Sequence, residues 1–407
     1  MKNWVEKISL ENVSVILFGL FPLLPNEWKP IPIVFLGLST INGAVQRKRN
    51  TPRGIREYYW FLILPVVFIL FVILGVKGDF NDQSVGKIET LIPLFLIPIL
   101  IQLTPSFVTH KRIQLFSKTF IISLILFLLV FILHALVYTN PRYESSLTHV
   151  DFMRDSVNNI PFINTHPIYA SIMLGLGVIL SSGNLAFERN KWRIISIIAF
   201  TVGLLLLTSK MVLVSLIFLG LIYMIQHLFT YNRKSIGLLL ISIFISVGLF
   251  YVYSSNNHRI EEVFQTKTYE KVHPSNSTSI RVGILKCVSK LILDEPILGY
   301  GFNGSQLELD QCYKASDSIL FKGHYNSHNQ YLGFWLYGGV LLFGIGVFML
   351  MLPIGMAIYR KNKYLLFISV FYGVNMLTEN ILERQTGVIL FSFILCFFTL
   401  TERRVIS

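Results

Sequence analysis

The residues best suited to proton transfer lie at the end of a long polar segment, just before an apolar run. His324, His328 and Asn329 occur there close together. A neutral histidine can take a proton from a hydroxyl group, which turns an alcohol into a nucleophile. Histidine also anchors helix starts by hydrogen bonding, so local spacing leaves a catalytic and a structural role open for His328. If the loop folds differently, His324 could replace it as the base.

A second group of residues could hold an anion. Gly299 and Gly301 are spaced by one residue after a proline, which indicates a tight turn whose backbone amides can receive an anion. An ordinary helix-ending turn has the same pattern. Arg281 lies upstream, where an arginine can also be a simple solvated charge. Lys210 lies between two apolar runs, at the membrane surface, where it can either snorkel to lipid headgroups or hold a phosphate.

Polar residues also stand at the ends of other apolar runs. His166 and Tyr169 flank Pro167, and proline suits the first position of a helix, so His166 can be a plain N-terminal cap. Three charged residues lie between the last two apolar runs: Glu379, Glu383 and Arg384. Their spacing fits a polar helix end as well as it fits a set of ligands.

The elements that must position these residues are apolar helices. The chain has 407 residues, of which 53% are hydrophobic and only 14% charged, whereas a soluble domain carries roughly 25% charged residues. Apolar runs such as 120–137 and 236–252 have the length of a helix that crosses a hydrocarbon core of about 30 Å. We therefore predict an all-α membrane protein, a single polytopic domain over residues 1–407 with about twelve transmembrane helices.

The basic clusters set the orientation of these helices. The predicted spans cover residues 9–25, 31–45, 58–76, 89–107, 118–139, 167–185, 192–208, 210–229, 235–254, 329–354, 363–378 and 386–400. The net charge of +13 comes from short clusters between the spans, the pattern of membrane topology and not of nucleic-acid binding. The clusters fall on alternate connections, so the positive-inside rule places both termini in the cytoplasm.

The largest connection on the opposite side is the extracytoplasmic loop 255–327, between predicted helices 9 and 10. A connection of this length is usually functional. Residues 279–293 show helical spacing of apolar side chains and predict an amphipathic helix near the outer membrane surface. Cys287 and Cys312 lie in the same loop. A disulfide and two free thiols are both open for them. The segments 140–166 and 379–385 are expected on the same side.

Several function classes lack their signatures. The sequence has no GxxxxGK[ST] loop and no cluster of histidine and cysteine with metal spacing. Few charges lie inside the predicted spans, where ion-coupled transporters usually need them. Twelve spans would fit a major-facilitator transporter, but the long loop after the ninth span breaks the symmetry of two similar halves. We expect no metal, no cofactor and no nucleic-acid partner.

A series of short motifs, in order and on one predicted face, resembles the O-antigen ligase and O-antigen polymerase superfamily of bacterial membrane glycosyltransferases. The motifs are His166–Tyr169, Leu206–Lys210, Ser279–Arg281, Asp294–Gly301, Ser327–Leu332, Tyr337–Gly339 and Glu379–Gly387. The resemblance covers roughly residues 160–390. The first five predicted spans resemble the family only in being apolar.

The resemblance implies a metal-independent transferase of lipopolysaccharide or polysaccharide biosynthesis, in the inner membrane with its active site facing the periplasm. Its donor would be a polyprenyl-pyrophosphate-linked glycan and its acceptor a hydroxyl, of lipid A-core or another molecule. Arg281 and Lys210 map onto the residues that hold the pyrophosphate, and His328 onto the general base. The family usually has arginine where this chain has Lys210, and lysine lacks the bidentate fork. The residues expected to support the site are Asn329, Gly299, Gly301, His166, Tyr169, His324, Glu379 and Arg384.

A ligase is the favoured interpretation, a polymerase is the alternative within the same class, and two other classes stay open beside them. A polymerase would use the same donor and differ only in the acceptor, which no residue of the sequence identifies. A transporter of polysaccharide or lipid carrier should tolerate the loss of His328, whereas a transferase should not. A non-enzymatic scaffold for glycan assembly would bind a lipid pyrophosphate without depending on these cations.

Overall fold

The described residues of the chain form helices. The computed structural model describes residues 9–46, 63–77, 82–104, 107–139, 150–227, 266–274 and 276–399, and no strand occurs among them. In chain order the helices are α1 Leu10–Gly19, α2 Ile31–Gln46, α3 Ile63–Gly75, α4 Asp82–Leu103, α5 His110–Val137, α6 Val150–Asn158, α7 Pro167–Ser181, α8 Asn190–Leu206, α9 Lys210–His227, α10 Lys267–Glu270, α11 Ser277–Asp294, α12 Gly301–Ser316, α13 Ser318–Gly323, α14 Gln330–Arg360, α15 Lys363–Asn375 and α16 Gln385–Thr399. Short 3-10 helices cover Phe21–Leu23, Asn26–Trp28 and Ile381–Glu383. The predicted all-α class is confirmed.

Three helices are long and apolar enough to cross a membrane: Ser84–Leu103 within α4, α5 and α14. Shorter apolar helices occur at Leu10–Gly19, Ile63–Gly75, Pro167–Ser181, Lys210–Ile225 and Gln385–Thr399. The predicted span 235–254 and the first part of the loop 255–327 lie outside the described residues, and so do residues 140–149 of the segment 140–166. Twelve spans therefore stay a prediction.

The helix at the predicted span 118–139 is longer than the span, because a helix can continue beyond its apolar run. The helix α5 begins at His110 and not near residue 118. Thr109 caps it, since its side chain accepts a hydrogen bond from the backbone N–H of Arg112. The Arg112 side chain then binds α1 through Asn12, at 2.9 Å, and Glu11, at 3.7 Å. Hydropathy locates the apolar run but not the cap that starts the helix.

The centre of the molecule is α16. Its residues from Val388 to Phe398 are buried on all sides, and the helix packs against α4 and α15. A helix that is apolar all round belongs in the interior of a bundle or in contact with lipid. The segment 379–384 leads directly into α16. Because α16 is central, the charged residues of segment 379–384 lie near the middle of one end of the helix bundle.

The helix α14 is broken at Gly339, whose φ is 63°. The turn between α11 and α12 fits against the break. There the backbone N–H of Val340 donates to the carbonyl of Pro296 at 3.0 Å, and that of Tyr300 donates to the carbonyl of Leu336 at 2.6 Å. Backbone groups that a break frees inside an apolar helix need partners within the protein. The turn supplies them and fixes α11 and α12 on α14.

The loop helices α11 to α13 have a small core of their own. The predicted amphipathic helix 279–293 is observed as α11, and its residues Ile284, Val288 and Leu291 are buried. They pack with buried residues of the next two helices: Leu309, Tyr313 and Leu320. Cys287 and Cys312 are bonded as a disulfide, with Cα atoms 5.9 Å apart. Of the two alternatives left open by the sequence, the structure has the disulfide.

Candidate active site

Glu379 joins the two residues that the sequence proposed for the donor and for the base. The Arg281 guanidinium on α11 donates a hydrogen bond to Oε1 of Glu379. On the other side, Nδ1 of His328 lies 3.4 Å from Oε2. Only 14% of the Glu379 side chain is exposed. Two groups far apart in the sequence therefore meet at one buried carboxylate.

The charges of this cluster favour an ionised Glu379. Burial raises the pKa of its carboxyl, but the contact with His328 and the positive charge of Arg281 outweigh burial and lower the pKa below its ordinary value. Glu379 is thus a carboxylate at neutral pH. The separation of 3.4 Å from His328 Nδ1 is long for a hydrogen bond. A small movement of the imidazole would close it.

A histidine beside the start of a helix can serve as its N-terminal cap, but at α14 the neighbouring asparagine does so instead of His328. Asn329 caps α14, because its Oδ1 accepts from the backbone amides of Tyr331 and Leu332 at 3.0 and 3.1 Å. Its Nδ2 donates to the carbonyl of Leu377 at 2.9 Å. His328 itself takes the left-handed conformation, with φ at 44°. The His328 ring does no capping, and its one polar contact among the described residues is with Glu379.

His166 and Tyr169 border the cluster from α7. Nδ1 of His166 accepts from the backbone N–H of Ile168 at 3.4 Å, so this histidine is the predicted N-terminal cap. Burial and the positive charges of Arg384 and Arg154 lower its pKa to about 4. The Tyr169 hydroxyl donates to the carbonyl of Ile381 at 3.3 Å. His166 is therefore uncharged at neutral pH and lies in a positive environment.

Arg154 on α6 is a residue that the sequence analysis did not single out. Its guanidinium donates to the carbonyl of Leu207 at 2.9 Å, directly before the joint that carries Lys210. Lys210 is the first residue of α9. The positive charge of Arg154 also lowers the pKa of His166, so Arg154 lies near both the joint and the cluster. A lone arginine between Asp151 and Asp155, in a segment predicted to be extracytoplasmic, was the available signal.

Three predicted residues have their contacts elsewhere in the described part of the chain. Gly299 has φ at 61°, and a Cβ there would meet the carbonyl oxygen of Leu336 at 2.6 Å, so this glycine serves close packing on α14. Gly301, with φ at 74°, packs in the same way against the end of α3. His324 lies on the surface, with Nδ1 3.2 Å from Oδ2 of Asp310.

The cluster is suited to an anion. Within the described ranges, no group of three or more His, Cys, Asp or Glu side chains is close enough to hold a metal ion. The neighbours of Glu379 are cations or bases: Arg281, His328 and His166. Arg384 is exposed beside them. A phosphate that entered here would meet the guanidinium groups of Arg281 and Arg384, and guanidinium can bind phosphate through two hydrogen bonds.

A comparison with protein families matches residues 194–349 of the chain to O-antigen ligase. The matched range contains Lys210, Arg281 and His328, whereas His166, Glu379 and Arg384 lie outside it. A search among curated proteins finds no match. Over this range, which is less than half of the chain, the protein is similar to the O-antigen ligase family.

Proposed function

We propose that the protein is a ligase-type glycosyltransferase that moves a glycan from a polyprenyl-pyrophosphate carrier to an acceptor hydroxyl. The observation that supports it best is the double contact of Glu379, with Arg281 on one oxygen and His328 beside the other. A cation for pyrophosphate and a base for a hydroxyl must be neighbours in such a transferase. Here one carboxylate joins them.

The chemistry follows from these positions. His328 takes the proton of the acceptor hydroxyl while the acceptor oxygen attacks the anomeric carbon of the glycan. The bond from that carbon to the pyrophosphate oxygen breaks, and its electron pair stays on the pyrophosphate, whose charge Arg281 and Lys210 stabilise. Once a small movement of the imidazole closes the gap of 3.4 Å, Glu379 accepts a hydrogen bond from Nδ1–H, so that Nε2 is the nitrogen that accepts the proton. His328 then releases the proton to water.

The reaction would take place on the outer face of the bacterial inner membrane. The proposed topology has about twelve spans, cytoplasmic termini and the loop 255–327 outside. The disulfide between Cys287 and Cys312 supports it, because disulfides persist in oxidising compartments. The starts of α7 and α14 and the segment 379–384 also meet in one cluster, as the alternation of spans requires.

The topology predicts which surface positions an impermeant thiol reagent reaches. Glu270 on α10 and Lys363 at the start of α15 are both exposed. We expect Glu270→Cys to be labelled in intact spheroplasts and Lys363→Cys only after permeabilisation. The native cysteines should give little background, since two are bonded and Cys396 is buried. Labelling of position 363 but not 270 in intact spheroplasts would invert the topology and refute the proposed site.

Lys210 should behave as a phosphate ligand. A hydrogen bond to a charged group contributes about 1.5–3 kcal/mol. We therefore expect Lys210→Ala to lower kcat/KM for the donor by roughly 10–100-fold, at about 1.4 kcal/mol for each tenfold change. Lys210→Arg should retain activity, because arginine keeps the charge and adds the fork. Lys290→Ala, at an exposed lysine of α11, is the matched control. Wild-type kinetics in Lys210→Ala would show that Lys210 only extends to the lipid headgroups and does not bind the donor.

Reconstitution with a polyprenyl-pyrophosphate glycan and candidate acceptors, followed by sizing of the products, tests the function itself. Transfer of one glycan to each acceptor, lipid A-core among them, is the expected result. A ladder of products on the lipid carrier would instead identify a polymerase. Movement of the carrier or glycan across the bilayer without any transfer would identify a transporter, and the proposed function would then be wrong.

A further inference from the structure

A second buried carboxylate, Glu383, lies at the centre of a hydrogen-bond network beside the proposed site. Its side chain is 12% exposed. Oε2 lies 3.0 Å from Nζ of Lys87 on α4 and accepts from Nδ2 of Asn326 at 2.9 Å. Oε1 accepts from Nδ2 of Asn380 at 2.8 Å and from the hydroxyl of Tyr337 on α14. Glu383 therefore joins segments of the chain that are far apart in sequence.

The network holds Glu383 in its charged form. Burial raises the pKa of this carboxyl, but the charge of Lys87 and the hydrogen bonds from Tyr337 and Asn380 lower it below the ordinary value. Lys87 also lies 3.3 Å from the Tyr337 hydroxyl. A buried charge is stable only when it is paired and hydrogen-bonded. Lys87 supplies the opposite charge, and neutral donors occupy the remaining acceptor sites.

The network reaches His328 through Asn326. The Oδ1 of Asn326 accepts from the backbone N–H of His328 at 3.1 Å, while its Nδ2 binds Glu383. The adjacent Ser327 accepts from Nδ2 of Asn380 at 2.9 Å. His328 has φ at 44°. A left-handed conformation is unfavourable for a residue other than glycine and persists only where its surroundings fix it.

Glu383 is poorly placed to act on a substrate directly. A carboxylate has about four lone-pair positions, and Lys87, Asn326, Asn380 and Tyr337 occupy both of its oxygens. Accepting a proton from an acceptor, or moving to bind one, would break contacts that keep the buried charge stable. Its influence on the reaction must pass through the turn that it holds.

We propose that Glu383 and Lys87 are positioning residues that fix the backbone turn at His328 and so aim its imidazole at the acceptor hydroxyl. This inference rests on the proposed function. It makes α4 a part of the catalytic unit, although α4 lies outside the matched range 194–349. The turn itself belongs to the matched range, so its geometry depends on two residues beyond it.

The test is Glu383→Gln in the wild-type and in the His328→Ala background. A misplacement of about 1 Å can cost 10²-fold in rate. With intact His328, kcat should fall by roughly 10–100-fold and the donor KM should stay unchanged, because Arg281 is untouched. In the His328→Ala protein, Glu383→Gln should cause no further loss, since the residue it positions is gone. Glu270→Gln, at an exposed carboxylate of α10, is the control and should leave both backgrounds unchanged.

Asn326→Ala provides a second variant in case Glu383→Gln does not fold. It breaks the link to His328 and leaves the pair of Glu383 and Lys87 in place. The same fall in kcat, absent in the His328→Ala background, is expected. Equal losses in both backgrounds, for either variant, would show a merely structural role and overturn this inference while the proposed function stands. Full activity of His328→Ala alone would instead overturn the base assignment, and the inference with it.

Discussion

The variant His328→Ala should lose turnover by about 10²–10⁴-fold, the usual contribution of general-base catalysis. Pyrophosphate is a good leaving group that cations stabilise, so it needs little acid catalysis. A sugar hydroxyl is a poor nucleophile at neutral pH, and the removal of its proton is the demanding step. Steady-state transfer with a defined donor and acceptor measures the loss. Membrane insertion and the donor KM should stay near wild type, because Asn329 and not His328 caps α14.

His324→Ala is the matched control for this experiment. His324 precedes His328 in the same segment, but its side chain is 66% exposed and pairs with Asp310. We expect His324→Ala to keep wild-type turnover. Full activity in His328→Ala together with a loss in His324→Ala would move the base to His324. Full activity in both variants and in the double variant would remove histidine catalysis from this segment.

The helices could be predicted because an apolar run of the right length has few other structures in a bilayer. The regions of α5 and α14 follow directly from hydropathy. The start of α5 does not, because it is set by the Thr109 cap and by the contact of Arg112 with α1. The break in α14 was not predicted either. The break leaves backbone groups that need hydrogen-bond partners, and the turn at Pro296 supplies one. That turn lies far from the break in the sequence.

The candidate site could be predicted in part, by residue type. Arg281 has the side chain that phosphate binding requires and His328 the one that proton transfer requires. The motifs around them indicated both roles. The role of Glu379 could not be predicted, because it depends on a contact with Arg281, which is 98 residues away in the sequence. In the sequence, Lys87 lies close to an apolar run, the usual place of a lysine at the membrane–water interface. Only the approach of α4 to Tyr337 and Glu383 gives it a partner.

Arg281→Ala should lower kcat/KM for the donor by roughly 10–100-fold, since charge-assisted hydrogen bonds contribute about 1.5–3 kcal/mol. In the free protein the guanidinium is paired with Glu379. A pyrophosphate carries more negative charge than one carboxylate, so it can take over part of this pairing. The loss should appear mainly in the donor KM, because the base is still present. Initial rates over a range of donor concentrations separate KM from kcat.

Two further variants make the test of Arg281 specific. Lys286→Ala removes an exposed cation from the same helix and should keep the wild-type donor KM, which controls for the general charge of α11. Glu379→Gln should have the opposite signature to Arg281→Ala. It frees the guanidinium for pyrophosphate, so the donor KM should not rise. It also weakens the acceptor that holds His328 Nδ1, so kcat should fall. An unchanged donor KM in Arg281→Ala, or a raised one in Glu379→Gln, would show that Arg281 serves only to pair with Glu379.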